Sequence, residues 1–170
     1  MKIQLKIFLF CLASSVFIGC DRVTKDLAKE HLMNRESSSY FHDTFRLIYA
    51  ENIGAALNLG EDLPRLLNFW LLSILPLILL MILFVYAISK SGRFSMIKMF
   101  CFSLIFAGGI GNILDRIFFD RHVTDFMNLG IHNFRTGIFN FADVCVTAGV
   151  IGLLFFNKDR KSKQKAVISE

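Results

Sequence analysis

The stretch AGGIGNILDRIFFDRHVTDFMNLGIHNFRTGIFNFAD, residues 107–143, decides how this chain folds. Apolar sequence flanks it on both sides, yet it carries asparagines, arginines and several aspartates. Gly108, Asn112 and Arg116 recur at i, i+4 and i+8, so a helix sets them in one stripe with Asp115 beside it. Asn140 and Asp143, spaced i, i+3, share a second helix face. Ionisable side chains at membrane depth cost about 2.5–3.5 kcal/mol each on insertion scales, so such a cluster is a sign of function.

Working outward, the composition explains why membrane depth is the right frame. Of 170 residues 54% are hydrophobic and 19 are Phe, and the mean hydropathy is +0.53; a soluble domain of this length could not hide that much apolar surface. The net charge of +5 does not point to nucleic acid, because the basic residues cluster beside apolar spans and are not interleaved with aromatics on a polar segment. Cys11, Cys20, Cys101 and Cys145 all lie in apolar stretches, which argues against disulfides and a structural zinc site. His31, His42, His122 and His132 stand singly in loops, so no metal or other cofactor is expected.

Four spans are predicted, at about residues 4–22, 66–88, 96–117 and 136–157, making one membrane domain over 1–157. The basic tail, 158–170, is expected to be disordered. The fold class is therefore an all-α membrane protein with four transmembrane helices and a small extracytoplasmic β-like, interfacial segment between the first two. Alternation of Phe45, Leu47 and Tyr49 suggests a short strand there. Pro76 interrupts the second span, and Trp70 and Tyr86 near its ends suit the interfacial belts. Gly108, Gly109 and Gly111 offer a close-packing surface for another helix. Asp143 falls about two turns inside the fourth span.

The first span has two readings. Its basic start, apolar run and FIGC at 17–20 resemble a lipoprotein leader with a lipidated cysteine, but the run is also long enough to be retained as a helix. Retention gives an even number of spans and places Lys2, Lys6, Lys90, Arg93, Lys98 and the basic tail on one side. The positive-inside rule makes that side the cytoplasm, with both termini. Asp21, Lys25, Asn52, Asn112, Arg116, Asp125, Asn140 and Asp143 then converge at the outer membrane boundary. Taken singly, Asp21 and Lys25 read as a surface ion pair on a fraying helix end, and Asn52 as a turn residue.

The convergent set supplies a chemistry. Neither a G-x-S-x-G elbow nor an H-E-x-x-H helix is present. Asp125, at the end of a loop, and Asp143, on the fourth helix, form an acid–base pair. Held about 3 Å apart in a partly dry site, two carboxylates share one proton. The ionised member takes a proton from a water attacking a peptide carbonyl, and the protonated member donates to the carbonyl oxygen. Asn112, Arg116 and Asn140 position the pair and the substrate.

At these residues the chain resembles the bacterial lipoprotein signal peptidases, or type II signal peptidases. The motifs are D-x-x-x-K at Asp21 and Lys25, N-x-G-A-A at 52–56, G-G-x-G-N-x-x-D-R from Gly108 to Arg116, V-x-D-F at 123–126 and F-N-x-A-D at 139–143. The resemblance spans nearly the whole chain. It implies an aspartyl protease of the bacterial cytoplasmic (inner) membrane that removes the signal peptide of a prolipoprotein, cutting before a diacylglyceryl cysteine. It also implies catalytic roles for Asp125 and Asp143, with Asp21, Lys25, Asn52, Gly54, Gly108, Asn112, Arg116, Asn140 and Ala142 binding substrate or supporting the site. Membrane lipids and globomycin-type inhibitors follow as partners. A slot lined by Gly54 and Gly108 is expected for the small residues before the cysteine, with the segment around Asn52 as a lid.

Two departures stand out: Leu57 replaces an expected aromatic, and the connection from Arg116 to Asp125 is one residue longer than the family pattern, with FFDRH in place of its glycine. Two other classes compete: a small transporter or channel subunit, which requires polar residues through the depth of the spans, and a structural lipoprotein anchored through Cys20.

Overall fold

The computed structural model describes residues 2–55 and 59–168, with side chains as far as Phe156. Ala56, which ends the N-x-G-A-A motif, and Leu57 lie outside the described residues. In chain order the elements are α1 (Ile3–Leu32), β1 (Ser38–Tyr40), β2 (Phe45–Asn52), α2 (Arg65–Ser89), α3 (Met96–Phe118), β3 (Val123–Ile131), β4 (Phe134–Arg135) and α4 (Phe141–Ile168).

Among the described residues, α1, α2 and α3 are long and apolar enough to cross a membrane, and the apolar part of α4, Phe141–Phe156, is shorter. Its start explains the difference from the expected 136. Phe139 exchanges backbone hydrogen bonds with β3, donating to the Met127 carbonyl at 2.8 Å and accepting from Phe126 and Met127. The helix begins only after Asn140, so Asp143 lies in its first turn and not two turns inside. At the other end α4 runs to Ile168. Helix α1 also runs further than its predicted span, which turns Asp21 and Lys25 from a fraying end into helix interior.

Pro76 has no N–H to donate to the carbonyl four residues back. The helix meets this with a π-helical turn at Trp70–Ile74, just before the proline. Trp70 and Tyr86 are exposed near opposite ends of α2, as interfacial belts require.

The β-like segment is a four-stranded antiparallel sheet, ordered β1-β2-β3-β4. Alternation in Phe45, Leu47 and Tyr49 marked β2 correctly, but half the sheet comes from the connection between α3 and α4. Asp125 accordingly sits in strand β3, opposite Ala50, and not at a loop end. Val123 to Phe126 are all buried, so this strand lacks the alternation that would have revealed it.

The bundle has two unlike ends. One is apolar: Phe10, Ala87, Phe94, Met99 and Phe102 form a buried cluster, with the Phe94 and Phe102 rings stacked 5.5 Å apart. The other end, nearest the sheet, collects the buried polar side chains described below. The three glycines of α3 each face a different helix. A Cβ on Gly108 would strike the Ala142 carbonyl of α4, one on Gly109 the Leu80 side chain of α2, and one on Gly111 the Asp21 carboxylate of α1. The expected surface for a single partner is therefore the point where three helices close on α3.

Candidate active site

Helix α4 starts with a reciprocal cap. The Asn140 backbone N–H donates to Asp143 Oδ2 at 3.0 Å, and the Asp143 N–H donates to Asn140 Oδ1 at 3.1 Å. This is a capping box built from Asn and Asp, and it ties the Asp143 carboxylate to the positive end of the helix dipole. Asn112 Nδ2 donates to the other Asp143 oxygen at 2.8 Å, from the polar stripe of α3.

The Asn140 side chain also reaches β3. Its Nδ2 donates to Asp125 Oδ1 at 2.7 Å and to Asn112 Oδ1 at 3.0 Å, and the residue is completely buried. Asn140 thus holds both carboxylates, one by its main chain and one by its side chain. Asn52, at the end of β2, donates to Asp125 Oδ2 at 3.3 Å and accepts from the Gly54 N–H at 2.8 Å. Asp125 is only 4% exposed. Burial pushes its carboxyl up to about 6, and the nearby charge of Asp143 adds to the rise, against the hydrogen bonds from Asn140 and Asn52 that favour the anion.

Behind the carboxylates lies a buried ion cluster. Lys25, 0% exposed, contacts Asp21 at 2.7 Å and Asp115 at 2.9 Å, and also donates to Asn112 Oδ1 at 3.0 Å. One ammonium between two carboxylates is far from the surface ion pair that i, i+4 spacing alone suggests. Arg22 adds a second positive charge on Asp115 at 2.9 Å. The remaining Asp21 oxygen accepts from the Ala142 N–H at 2.9 Å, so α1 caps the first turn of α4.

Arg116 points to the opposite side. It donates to the carbonyls of Ile53 at 3.2 Å and Gly54 at 2.5 Å, fixing the segment after Asn52 over α3. Gly108 apart, the residues expected at the site are joined in one network, directly or through Arg116. Gly108 is the exception in kind: Ala142 fills its face, so it packs α3 on α4, while Gly109 is the α3 glycine on the cleft wall. Gly54 is buried under Arg116, whose guanidinium takes its carbonyl. At the end of the connection from Arg116, Asp125 is held by Asn52 and Asn140. That connection contains a turn in which Asp120 and Arg121 have φ of 47° and 72°, and the Arg121 N–H bonds to the Arg116 carbonyl at 2.9 Å.

Two residues of the network were not among the expected site residues. Asp115 was visible beside the stripe, three residues after Asn112, but its partner Lys25 is 90 positions away. Asn68 is completely buried and donates to the carbonyls of Ile53 and Gly60, both at 2.9 Å, closing the base of the segment after Asn52. A lone Asn within an apolar span was the available signal.

Asp125 and Asp143 line one cleft of about 520 Å³, with Asn52, Asn112 and Arg116. Its other wall, Leu72 and Pro76 of α2 and Val146 of α4, is apolar. Membrane-crossing helices that carry a paired-carboxylate cleft at one end define a multi-pass membrane protein with the outline of a hydrolase.

The chain belongs to the signal peptidase II family: the Peptidase A8 family, signal peptidase (SPase) II, matches residues 13–157. It is 32% identical over 154 residues to the lipoprotein signal peptidase of Borrelia duttonii, covering 88% of this chain and 89% of that one. It is also 31% identical over 166 residues to the lipoprotein signal peptidase of Treponema pallidum, covering 94% and 89%. Among solved structures, a bacterial membrane enzyme determined by the in meso method at 2.3 Å superposes with a TM-score of 0.77 at 27% identity, covering 91% of this chain and 90% of the other. A second, at 1.9 Å, gives 0.72 at 28% identity, covering 86% and 90%. The family makes this chain a protease.

Proposed function

We propose that the chain is an aspartic endopeptidase that removes the signal peptide from diacylglyceryl-modified prolipoproteins, cleaving on the N-terminal side of the lipidated cysteine. The observation that carries this reading is the grip of Asn140 on Asp125 and Asp143 within one cleft.

The reactive form of the pair carries one proton between the two carboxyls. Asp143, with two N–H donors at a helix N-terminus, holds the negative charge and takes the proton of the attacking water. Asp125, whose carboxyl burial pushes up to about 6, is the more readily protonated member, and in that protonated form it donates to the carbonyl oxygen. The bond from water oxygen to carbonyl carbon forms first. The C–N bond then breaks, and the amine leaves with a proton returned by the pair. The diacylglyceryl chains remain in lipid beside the apolar wall of Leu72, Pro76 and Val146. The segment after Asn52, pinned by Arg116 and Asn68, serves as the lid.

Lys2, Lys6, Lys90, Arg93 and Lys98 gather at the apolar end of the bundle. By the positive-inside rule this end is cytoplasmic, both termini lie there, and the carboxylates sit near the outer face of the bacterial cytoplasmic membrane. The Gly19–Cys20 bond lies within the continuous helix α1 and so lacks the extended form a protease needs, which supports a retained N-terminus. Globomycin-type cyclic peptides are expected to inhibit.

The test is cleavage of a diacylglyceryl prolipoprotein by the purified protein. Asp125→Asn and Asp143→Asn should each lower the rate by about 10²–10⁴-fold. Unchanged rates in both variants overturn the proposal.

A further inference from the structure

A second cleft, of about 420 Å³, opens at the sheet end of the bundle between the start of α2 and the end of α3. Its polar rim holds Arg65, Arg121 and Asp120, and its floor is Leu66, Phe69 and Ile117. Arg116 forms the back, but its guanidinium is committed to the carbonyls of Ile53 and Gly54. Leaving Arg116 aside, two guanidinium groups face one carboxylate.

Arg121 is set apart from the exposed Arg35, which also lies against no carboxylate among the described residues, by its place in the cleft and its buried Nε. At the same end of the bundle Arg22, Lys25, Arg46, Arg65 and Arg135 each lie against a carboxylate. The Arg121 side chain has no such partner among the described residues, and its Nε is buried without a hydrogen-bond acceptor. The buried nitrogen holds the guanidinium in place, and its charge remains without a carboxylate among those residues. The turn after α3 presents this residue, through the left-handed pair Asp120 and Arg121.

The surroundings identify the acceptor. The cleft lies where α2 and α3 end, at headgroup level, and its floor continues into side chains exposed to lipid: Leu66 is 71% exposed and Ile117 45%. A ligand must therefore offer an anionic head to Arg121 and Arg65 and an acyl chain to Leu66 and Ile117. Planar guanidinium groups match phosphate oxygens. We propose that this cleft binds one anionic phospholipid, its phosphodiester on Arg121 and Arg65 and one acyl chain along Leu66 and Ile117. The excess of positive charge disfavours a zwitterionic head, whose ammonium would meet the same arginines. The site is separate from the carboxylate cleft, and the proposal does not depend on the reaction assigned there.

Native mass spectrometry tests it on the full chain, released from nanodiscs containing equal amounts of phosphatidylglycerol and phosphatidylcholine. The protein should retain a single phosphatidylglycerol in preference to phosphatidylcholine by about tenfold, the worth of one charge-assisted hydrogen bond. Arg121→Gln should abolish the preference, Arg65→Gln should weaken it, and Lys29→Gln, at the same boundary outside the cleft, should leave it intact. Arg65→Gln also serves if Arg121→Gln fails to fold. Equal retention of the two lipids, or an unchanged preference in both arginine variants, overturns the proposal. Added inorganic phosphate should leave the lipid bound; displacement by phosphate would mean that the cleft takes the anion alone, against the acyl part of the proposal.

Discussion

Asn140 and Asp143 cap one another across the first turn of α4, at 3.0 and 3.1 Å, and the amide nitrogen left over on Asn140 goes to Asp125 at 2.7 Å. One residue therefore does two separable jobs, starting a helix and aligning a carboxylate. Asn140→Ser should keep the cap, because Ser is as good an N-cap as Asn, while removing the donor to Asp125 and Asn112. Thermal unfolding is expected to shift little and prolipoprotein cleavage to fall by at least about tenfold, the effect of one lost charge-assisted hydrogen bond. Asn140→Ala should lose a further 1 kcal/mol or so of stability.

The raised carboxyl of Asp125 makes stability depend on pH. Its neutral form suits the buried site, so the stabilisation from this group is complete below the ordinary value of 3.8 and is lost as pH rises through about 6. The difference is on the order of 2–3 kcal/mol. Asp125→Asn should flatten the unfolding free energy across that window, measured by chemical denaturation in micelles at a series of pH values. Asp143→Asn should move the window down, because it removes one of the two causes of the rise.

Lys25→Met would leave Asp21 and Asp115 buried without their shared cation. Breaking a buried pair in this way costs about 3–5 kcal/mol. Asn112 would also lose the donor to its Oδ1, so cleavage should fall along with the thermal midpoint. Lys25→Arg should not restore either, since the wider guanidinium does not fit a completely buried ammonium site.

Arg121→Gly should stabilise the protein in lipid-free detergent by about 0.5–1 kcal/mol, because glycine adopts φ near 72° without the penalty of a side chain. It also removes the orphaned Nε. A rise of a few degrees in the thermal midpoint, with cleavage retained, is the expected result.

Much of this was legible in the sequence, and the exceptions have a common cause. Local spacing is enough to find an α3 stripe, a β2 strand or an Asn–Asp pair. It does not say which neighbours arrive. Asp21 and Lys25 look like any i, i+4 surface pair until Asp115 and Ala142 close over them. The α3 glycines read as one contact surface because a single helix cannot reveal that three others converge on it. Strand β3 was hidden because it is covered on both faces, and the start of α4 was placed early because Phe139 prefers a strand partner to a helical turn.

Ala142 carries a consequence of its own. Its N–H is held by Asp21 of α1, and its carbonyl lies on Gly108 of α3, one residue before Asp143. Bilayers of unequal thickness make single helices tilt. Here no helix can lean alone: the alanine rivets three of them together, so hydrolysis should tolerate a modest change of bilayer and then fail all at once, when the rivet gives.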